Sequence, residues 1–353
     1  MSEESAGVVL EQTSSFDAVR EDWDLLAERS DNVFGTWEWA SAWWRHFGRR
    51  ARPLVTTCRT AGGRTFALLP LYVWPQPGLR VVRVIGHGPA DELGPLCAAE
   101  DRPTAAAALR RVLDDARADV FLGEELRRHD GWSRRLEATV RGTVSSPVLR
   151  LDWRSWDEFL SARSSNFRQQ IRRRERALGE HGLRYRLCEN RDRLERDLDV
   201  LFALHRLRWS GGDSEFTRLD AFHRDFAACA FDRGWLRLWF LEVNGAEVAA
   251  WYGLRFRGIE WYYQAGRDPA WDRFAVGFVL LAHSVREAIA DGMREYRLGR
   301  GDEEYKSRFT DDDSEVETLV LARGLKGRLA VAAAEAARRR TGTRRFVRST
   351  LRT

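Results

Sequence analysis

The dipeptide Asn244-Gly245 separates two apolar runs, 236–243 and 247–256, and it constrains the fold more than any other feature of the chain. Both residues tolerate the left-handed backbone that a two-residue hairpin needs, so the runs are expected to pair as antiparallel strands. A third strand, 258–265, follows the Arg257-Gly258 turn. The apolar period then lengthens from two to 3.6 over 276–291, which predicts a helix. Gly292 suits the left-handed residue just past its end, and a strand at 295–298 follows. Three strands, a helix and a further strand define a mixed α/β layer.

The same order extends in both directions. Upstream of the hairpin, the pattern predicts helical turns within 157–178, a strand at 183–188, and helices at 194–209 and 216–233; a last strand, 315–322, precedes an Ala/Arg-rich helix. The first half is a shorter, blurred version of this order. It has a helix over 16–29, a hairpin of 53–60 with 65–74, strands at 80–85 and 119–122, and a helix over 105–118. Positions 36, 39, 40, 43, 44 and 47 fall on one face of a second helix, which carries Trp37, Trp39 and Trp44. With 353 residues, the chain is expected to hold two lobes, 8–150 and 151–325, and a basic tail, 326–353. The fold class is α/β (α+β): tandem lobes, each a mixed, mostly antiparallel sheet flanked by helices.

Charge is divided unevenly. From Arg323 onward ten basic side chains face Glu335 alone, a net +9, which leaves the preceding body at 48 basic against 52 acidic side chains. The tail can contact nucleic acid or an anionic membrane surface, or it is a solvated end. The four cysteines match no zinc spacing and read as reduced thiols of a cytoplasmic protein, and no His-x-x-x-His pair suggests a metal. No run reaches the ~18 apolar residues of a membrane span.

Of 58 basic side chains only Lys306 and Lys326 are lysines. Arg and Lys differ where a compact ammonium is needed, and Lys306 lies in the loop-like run Gly301-Asp302-Glu303-Glu304-Tyr305-Lys306. A second notable junction runs Tyr262-Tyr263-Gln264-Ala265-Gly266-Arg267-Asp268-Pro269 and then Arg273-Phe274-Ala275-Val276-Gly277-Phe278. Here a strand ends and a helix opens at a small residue, an arrangement able to hold a phosphate on unpaired N–H groups. Most such junctions bind nothing.

Five segments, in order over about residues 15–325, carry a resemblance to a known family. They are Phe34-Gly-Thr-Trp37-Glu-Trp39 with Trp44-Arg45-His46-Phe47-Gly48; Asn166-Phe167-Arg168 with Arg172-Arg173; and His205-Arg-Leu-Arg208-Trp209. The remaining two are Tyr263 through Pro269 with Gly277, and Leu298-Gly299-Arg300-Gly301-Asp302-Glu303-Glu304-Tyr305-Lys306. Together they resemble the GNAT acyltransferase superfamily, in its CelD/BcsL-type branch of cellulose and exopolysaccharide clusters, which is related to the FemAB aminoacyl transferases. Where the family loop reads Gln/Arg-x-x-Gly-x-Gly/Ala, this chain has Asp272-x-x-Ala275-x-Gly277.

The resemblance implies transfer of an acyl group from acetyl-CoA or another acyl-CoA to a saccharide or cell-envelope precursor. FemAB relatives instead imply an aminoacyl-tRNA donor, and a non-catalytic binding protein on the same fold is the third reading. The second lobe would be catalytic and the first degenerate. Donor contacts are expected from Gln264, Ala265, Arg273, Ala275, Val276, Gly277 and Phe278, and no metal is expected. Asp302 is the first choice of general base, ahead of Glu303, Glu304 and Glu260; Lys306 would neutralise charge, and Tyr305 would protonate the leaving group or merely pack. Arg168, Arg172 and Arg208 would bind an anionic acceptor, with Trp209 and Tyr263 beside them, and Trp37, Trp39 and Trp44 would stack on sugar rings, unless these are a solvated face and a core stripe.

Overall fold

A computed structural model describes residues 7–208 and 214–341. The chain forms two compact units, one from Met1–Thr143 with Glu315–Thr353 and one from Val144–Ser314.

The first unit is built on strands β1 (Val9–Thr13), β2 (Arg52–Arg59), β3 (Thr65–Gln76), β4 (Leu79–Val84), β5 (Leu96–Cys97), β6 (Val120–Arg127) and β7 (Thr139–Ser145). The second is built on β8 (Val148–Arg150), β9 (Arg184–Leu187), β10 (Leu236–Val243), β11 (Ala246–Phe256), β12 (Ile259–Arg267) and β13 (Glu295–Arg297). A final strand, β14 (Glu315–Ala322), returns to the first sheet, whose order is β1-β2-β3-β4-β6-β14-β7 with β5 on β3. Both sheets are mixed. In the first, β4 and β6 run parallel, and the pairs β1/β2, β2/β3, β3/β4 and β6/β14 are antiparallel.

The aromatic helix of the first unit, Trp37–Phe47, starts at Thr36, whose hydroxyl accepts the Trp39 N–H. Trp39 and Trp43 are fully buried. The Trp43 indole donates to the His87 carbonyl at 2.9 Å, and the Tyr72 ring stacks on the His87 imidazole. Trp44 packs against Phe16 and Tyr72, while the half-buried Trp37 lies under the Arg20 guanidinium and donates to the Phe16 carbonyl. The stripe is therefore the core of its own lobe. Trp39 offers no surface to a sugar, and Trp37 and Trp44 are held by neighbours within the lobe.

The second sheet runs β8-β13-β12-β11-β10-β9. Asn244 and Gly245 both take positive φ at the β10/β11 turn, as that hairpin requires. Alternate residues of β10 face opposite layers. Trp239, Leu241 and Val243 join Ile171, Val279 and Val285 of the helices Ser165–Gly179 and Val276–Ala290. On the opposite layer the Leu194–Arg208 helix packs on β11 and β12. The helical stretch 157–178 breaks at Ser164, whose hydroxyl caps the second piece by accepting the Phe167 N–H.

The lobe boundaries also differ from those expected at 150 and 325. The 315–322 strand pairs antiparallel with β6, from Val316 opposite Arg127 to Ala322 opposite Val120, so it belongs with the first unit. Pairing partners distant in sequence leave no local mark on a strand, which explains the difference.

Candidate functional site

Strand β12 shapes the site. It gains one residue relative to β11, because Tyr252 faces Gln264 while Gly253 faces Tyr262, leaving Tyr263 as the extra residue of a bulge. On its other side β12 pairs with parallel β13 only through Ile259–Trp261 against Glu295–Arg297. Beyond Trp261 the two strands pair no further, and a cleft of about 490 Å³ lies along this free stretch. Its walls include Tyr262, Ala265 and Gly266 of β12, Arg208, Gly277 and Phe278 at the start of the Val276–Ala290 helix, and Glu303 and Tyr305.

The helix start is exposed to the cleft by an unusual residue. Ala275 takes φ +50°, a conformation that costs an L-residue roughly 1 kcal/mol. Its N–H bonds back to the Asp272 carbonyl, and its carbonyl accepts from Phe278 and Val279. The N–H groups of Val276 and Gly277 have no acceptor among the described residues, and no acid occupies the first turn. A negative group placed there meets two free donors and the positive end of the helix dipole. The Val276 side chain itself is buried in the core. Gly277 is open: an added Cβ would touch only the Arg267 side chain, at 3.6 Å.

Arg208 closes the opposite wall by donating to the Ala265 carbonyl at 3.2 Å. That approach depends on Gly266, where a Cβ would lie 2.4 Å from the His205 backbone nitrogen. Gln264 is absent from the cleft wall, and the His205 imidazole meets the Ser214 hydroxyl at 3.3 Å. Burial, reinforced by Arg208, lowers the His205 pKa to about 4, so the imidazole is neutral at pH 7. Arg267 is neutralised by Asp272 at 2.6 Å.

The Gly299–Gly301 run wraps around one ammonium. Lys306 Nζ donates to the carbonyls of Gly299, Arg300 and Gly301 at 3.0, 2.8 and 3.2 Å and pairs with Glu303 at 2.8 Å. Three donors diverging from one atom suit an ammonium and not a planar guanidinium. Lys306 is only 3% exposed, so it organises the loop and is not a free charge facing a donor phosphate. Gly301 is required by its φ of +117°, which an L side chain rarely adopts.

This loop turns Glu303 and Tyr305 into the cleft and Asp302 out to solvent. Asp302, first choice on the sequence, is exposed and absent from the cleft wall, where its neighbour Glu303 stands. Glu304 is also exposed and pairs with Arg308, and Glu260 is fully buried against Arg255. The Tyr305 ring lies 6.4 Å from that of Tyr262; burial, then the fields of Tyr262 and Glu303, raise its pKa far above the usual tyrosine range, so it keeps its proton.

Several expected contacts lie elsewhere. Tyr263 is buried among Phe216, His223 and Tyr252. Arg168 donates to the carbonyls of Leu160 and Ser161 and to that of Arg163, ending the preceding helix. Arg172 is exposed on its helix, and the exposed Arg273 stacks on Phe274. Trp209 lies outside the described residues, as does the tail beyond 341. Tyr262 and Glu303 join the site although neither was chosen first, because spacing along a loop does not say which of three consecutive acids faces inward. Among the described residues no group of three His, Cys, Asp or Glu side chains is placed to hold a metal, and no helix is long and apolar enough to cross a membrane.

A bulged strand parting from a parallel neighbour beside a helix start defines a class. Residues 165–307 match the family model described as the acetyltransferase (GNAT) domain. That match lies within the second unit and supports an acyl-transferring enzyme. Among solved structures it is similar to FemX, at 10% identity over 87% of this chain and 96% of that one, with a TM-score of 0.62. It is also similar to the C-terminal domain (DUF2156) of a putative lysylphosphatidylglycerol synthetase from Agrobacterium fabrum, at 13% identity over 91% and 97% and a TM-score of 0.59. A third is a tandem GNAT protein from the clavulanic acid biosynthesis pathway, at 11% over 90% and 99% and a TM-score of 0.52. At these identities the likeness is one of fold. No curated protein matches the chain in sequence.

Proposed function

We propose that the second unit transfers an acyl group from an acyl-CoA to an amine or hydroxyl of a saccharide or cell-envelope precursor in the cytoplasm. The observation that carries this reading is the pair of unpartnered N–H groups at Val276 and Gly277, opening on the cleft beside the free stretch of β12. The donor's phosphates lie on those groups, and its thioester runs along β12. The unpaired strand edge supplies N–H donors to the oxyanion. Glu303, steadied by Lys306, accepts the acceptor's proton, and Tyr305 returns a proton to the leaving thiolate.

An aminoacyl-tRNA donor is the second reading, supported by the acid and alanine that replace the usual residues of the 272–277 loop. A panel of CoA thioesters in a thermal-shift assay separates the two. Acetyl-CoA is expected to raise the melting temperature, and Gly277→Glu to abolish the rise by placing a carboxylate at the helix start. No shift with any CoA species, together with salt-sensitive binding of charged tRNA, would transfer the proposal to the second donor.

A further inference from the structure

Two arginines from different elements gather on the ring of one residue of the cleft wall, Phe278. The Arg174 guanidinium carbon, from the Ser165–Gly179 helix, lies 5.2 Å from the centroid of the Phe278 ring, and that of Arg308 lies 6.0 Å from the same ring. Such cation–π contacts are worth about 0.5–1 kcal/mol at an exposed site and leave the in-plane N–H donors of a guanidinium available.

The other charges near this cleft are matched. Arg267 has Asp272, Glu303 has Lys306, and Arg208 sits on the Ala265 carbonyl. Arg308 reaches Gln170 and Glu304, but Glu304 is 88% exposed, so that pair contributes little. Arg174 has no carboxylate or carbonyl partner among the described residues, although it is half-buried. Burial, then the positive fields of Arg308 and Arg173, pull its pKa below the usual arginine range. Cations gathered with only one exposed acid beside them are poorly compensated and are relieved by an anion between them.

The geometry points to a phosphate subsite beside this ring: Arg174 and Arg308 together hold a phosphate group of the donor, apart from any phosphate on the helix start. Guanidinium forks bind phosphate oxygens in pairs, which makes the subsite selective for a phosphorylated donor over an uncharged one. In the acyl-CoA reading, on which this identity rests, the group is the phosphate monoester on the ribose. The subsite itself can be tested without that reading, because inorganic pyrophosphate carries the same chemistry.

Isothermal titration of the full chain with CoA, 3′-dephospho-CoA and inorganic pyrophosphate provides the test. The wild type is expected to bind CoA about tenfold more tightly than dephospho-CoA, the scale of one charge-assisted contact. Arg174→Gln and Arg308→Gln are each expected to remove that preference and leave dephospho-CoA binding unchanged. Arg176→Gln, an exposed change on the same helix, controls for general loss of positive charge. Equal losses in all three variants, or CoA affinity unmoved by Arg174→Gln and Arg308→Gln, overturn the subsite. If the wild type binds neither form of CoA, the donor reading fails and pyrophosphate decides. Salt-sensitive pyrophosphate binding lost in Arg174→Gln then supports the subsite, and pyrophosphate binding that is absent or equal in wild type and variants overturns it.

Discussion

Lys306 and Lys326 show how one residue type serves two different ends. Lys326 is 61% exposed and pairs with Asp119 at 3.2 Å, so Lys326→Arg is expected to change stability by less than about 0.5 kcal/mol. Lys306→Arg forces a planar fork into a site of three convergent carbonyls and is expected to cost about 1–3 kcal/mol in urea unfolding, with activity falling in step. Tyr305→Phe removes only a hydroxyl. It is expected to lower kcat by about 10²–10⁴-fold with the melting temperature nearly unchanged, and an unchanged kcat would remove the proton-donor role. Histidines set the acid limit. His283 is stacked on Tyr185 with both ring nitrogens buried and without a hydrogen bond, Glu287 lying 3.9 Å from Nδ1, and burial lowers its pKa to about 3; that of His205 is about 4. Unfolded histidine binds a proton near pH 6.5. The unfolded chain therefore holds more protons between that pH and 3–4, so these residues reduce stability as pH falls through this window. Urea titrations at pH 7.5 and 5 check this, and His283→Phe is expected to flatten the difference.

At the scale of elements, β12 links the whole site. Its bulge at Tyr263, its short pairing with β13 and its contact with the Leu194–Arg208 helix all bear on one cleft wall. Gly266 is the closest of these contacts, and its replacement tests the linkage. Gly266→Ala drives a methyl into the backbone of Leu204 and His205, where no side chain can move aside. The expected cost is about 1–3 kcal/mol from overpacking, together with loss of the Arg208 to Ala265 bond and hence of donor affinity. Calorimetry and titration with the same variant read both effects; stability lost without affinity would show that the helix and the cleft are not coupled. The hairpin at Asn244-Gly245 and the helix ending before Gly292 were legible because turn and cap chemistry acts within a few residues. The bulge was not, since it is defined by the partner strand.

For the whole molecule, the return of β14 between β6 and β7 carries the clearest consequence. The first sheet lacks an inner strand until residue 322 is made, so a chain ended at 314 is expected to leave the first unit unfolded. The Val144–Ser314 fragment holds all six strands of its own sheet and is expected to fold alone. Circular dichroism of fragments 1–143 and 144–314 tests both expectations, and a cooperative melt of 1–143 would contradict the first.

By itself, the sequence determined the hairpin and most of the longer helices and strands, the mixed α/β class and the position of the helix start at 276–277, and it singled out Lys306 as one of two lysines. Each rests on local chemistry: periodicity, a turn, a cap or an ammonium in an arginine-rich chain. Only the tertiary structure decided that Trp39 is core, that Glu303 and not Asp302 faces the cleft, that Lys306 holds a loop, and that 315–322 belongs to the first unit. Those outcomes depend on which distant backbone lies opposite a residue, and neighbours in sequence do not carry that information.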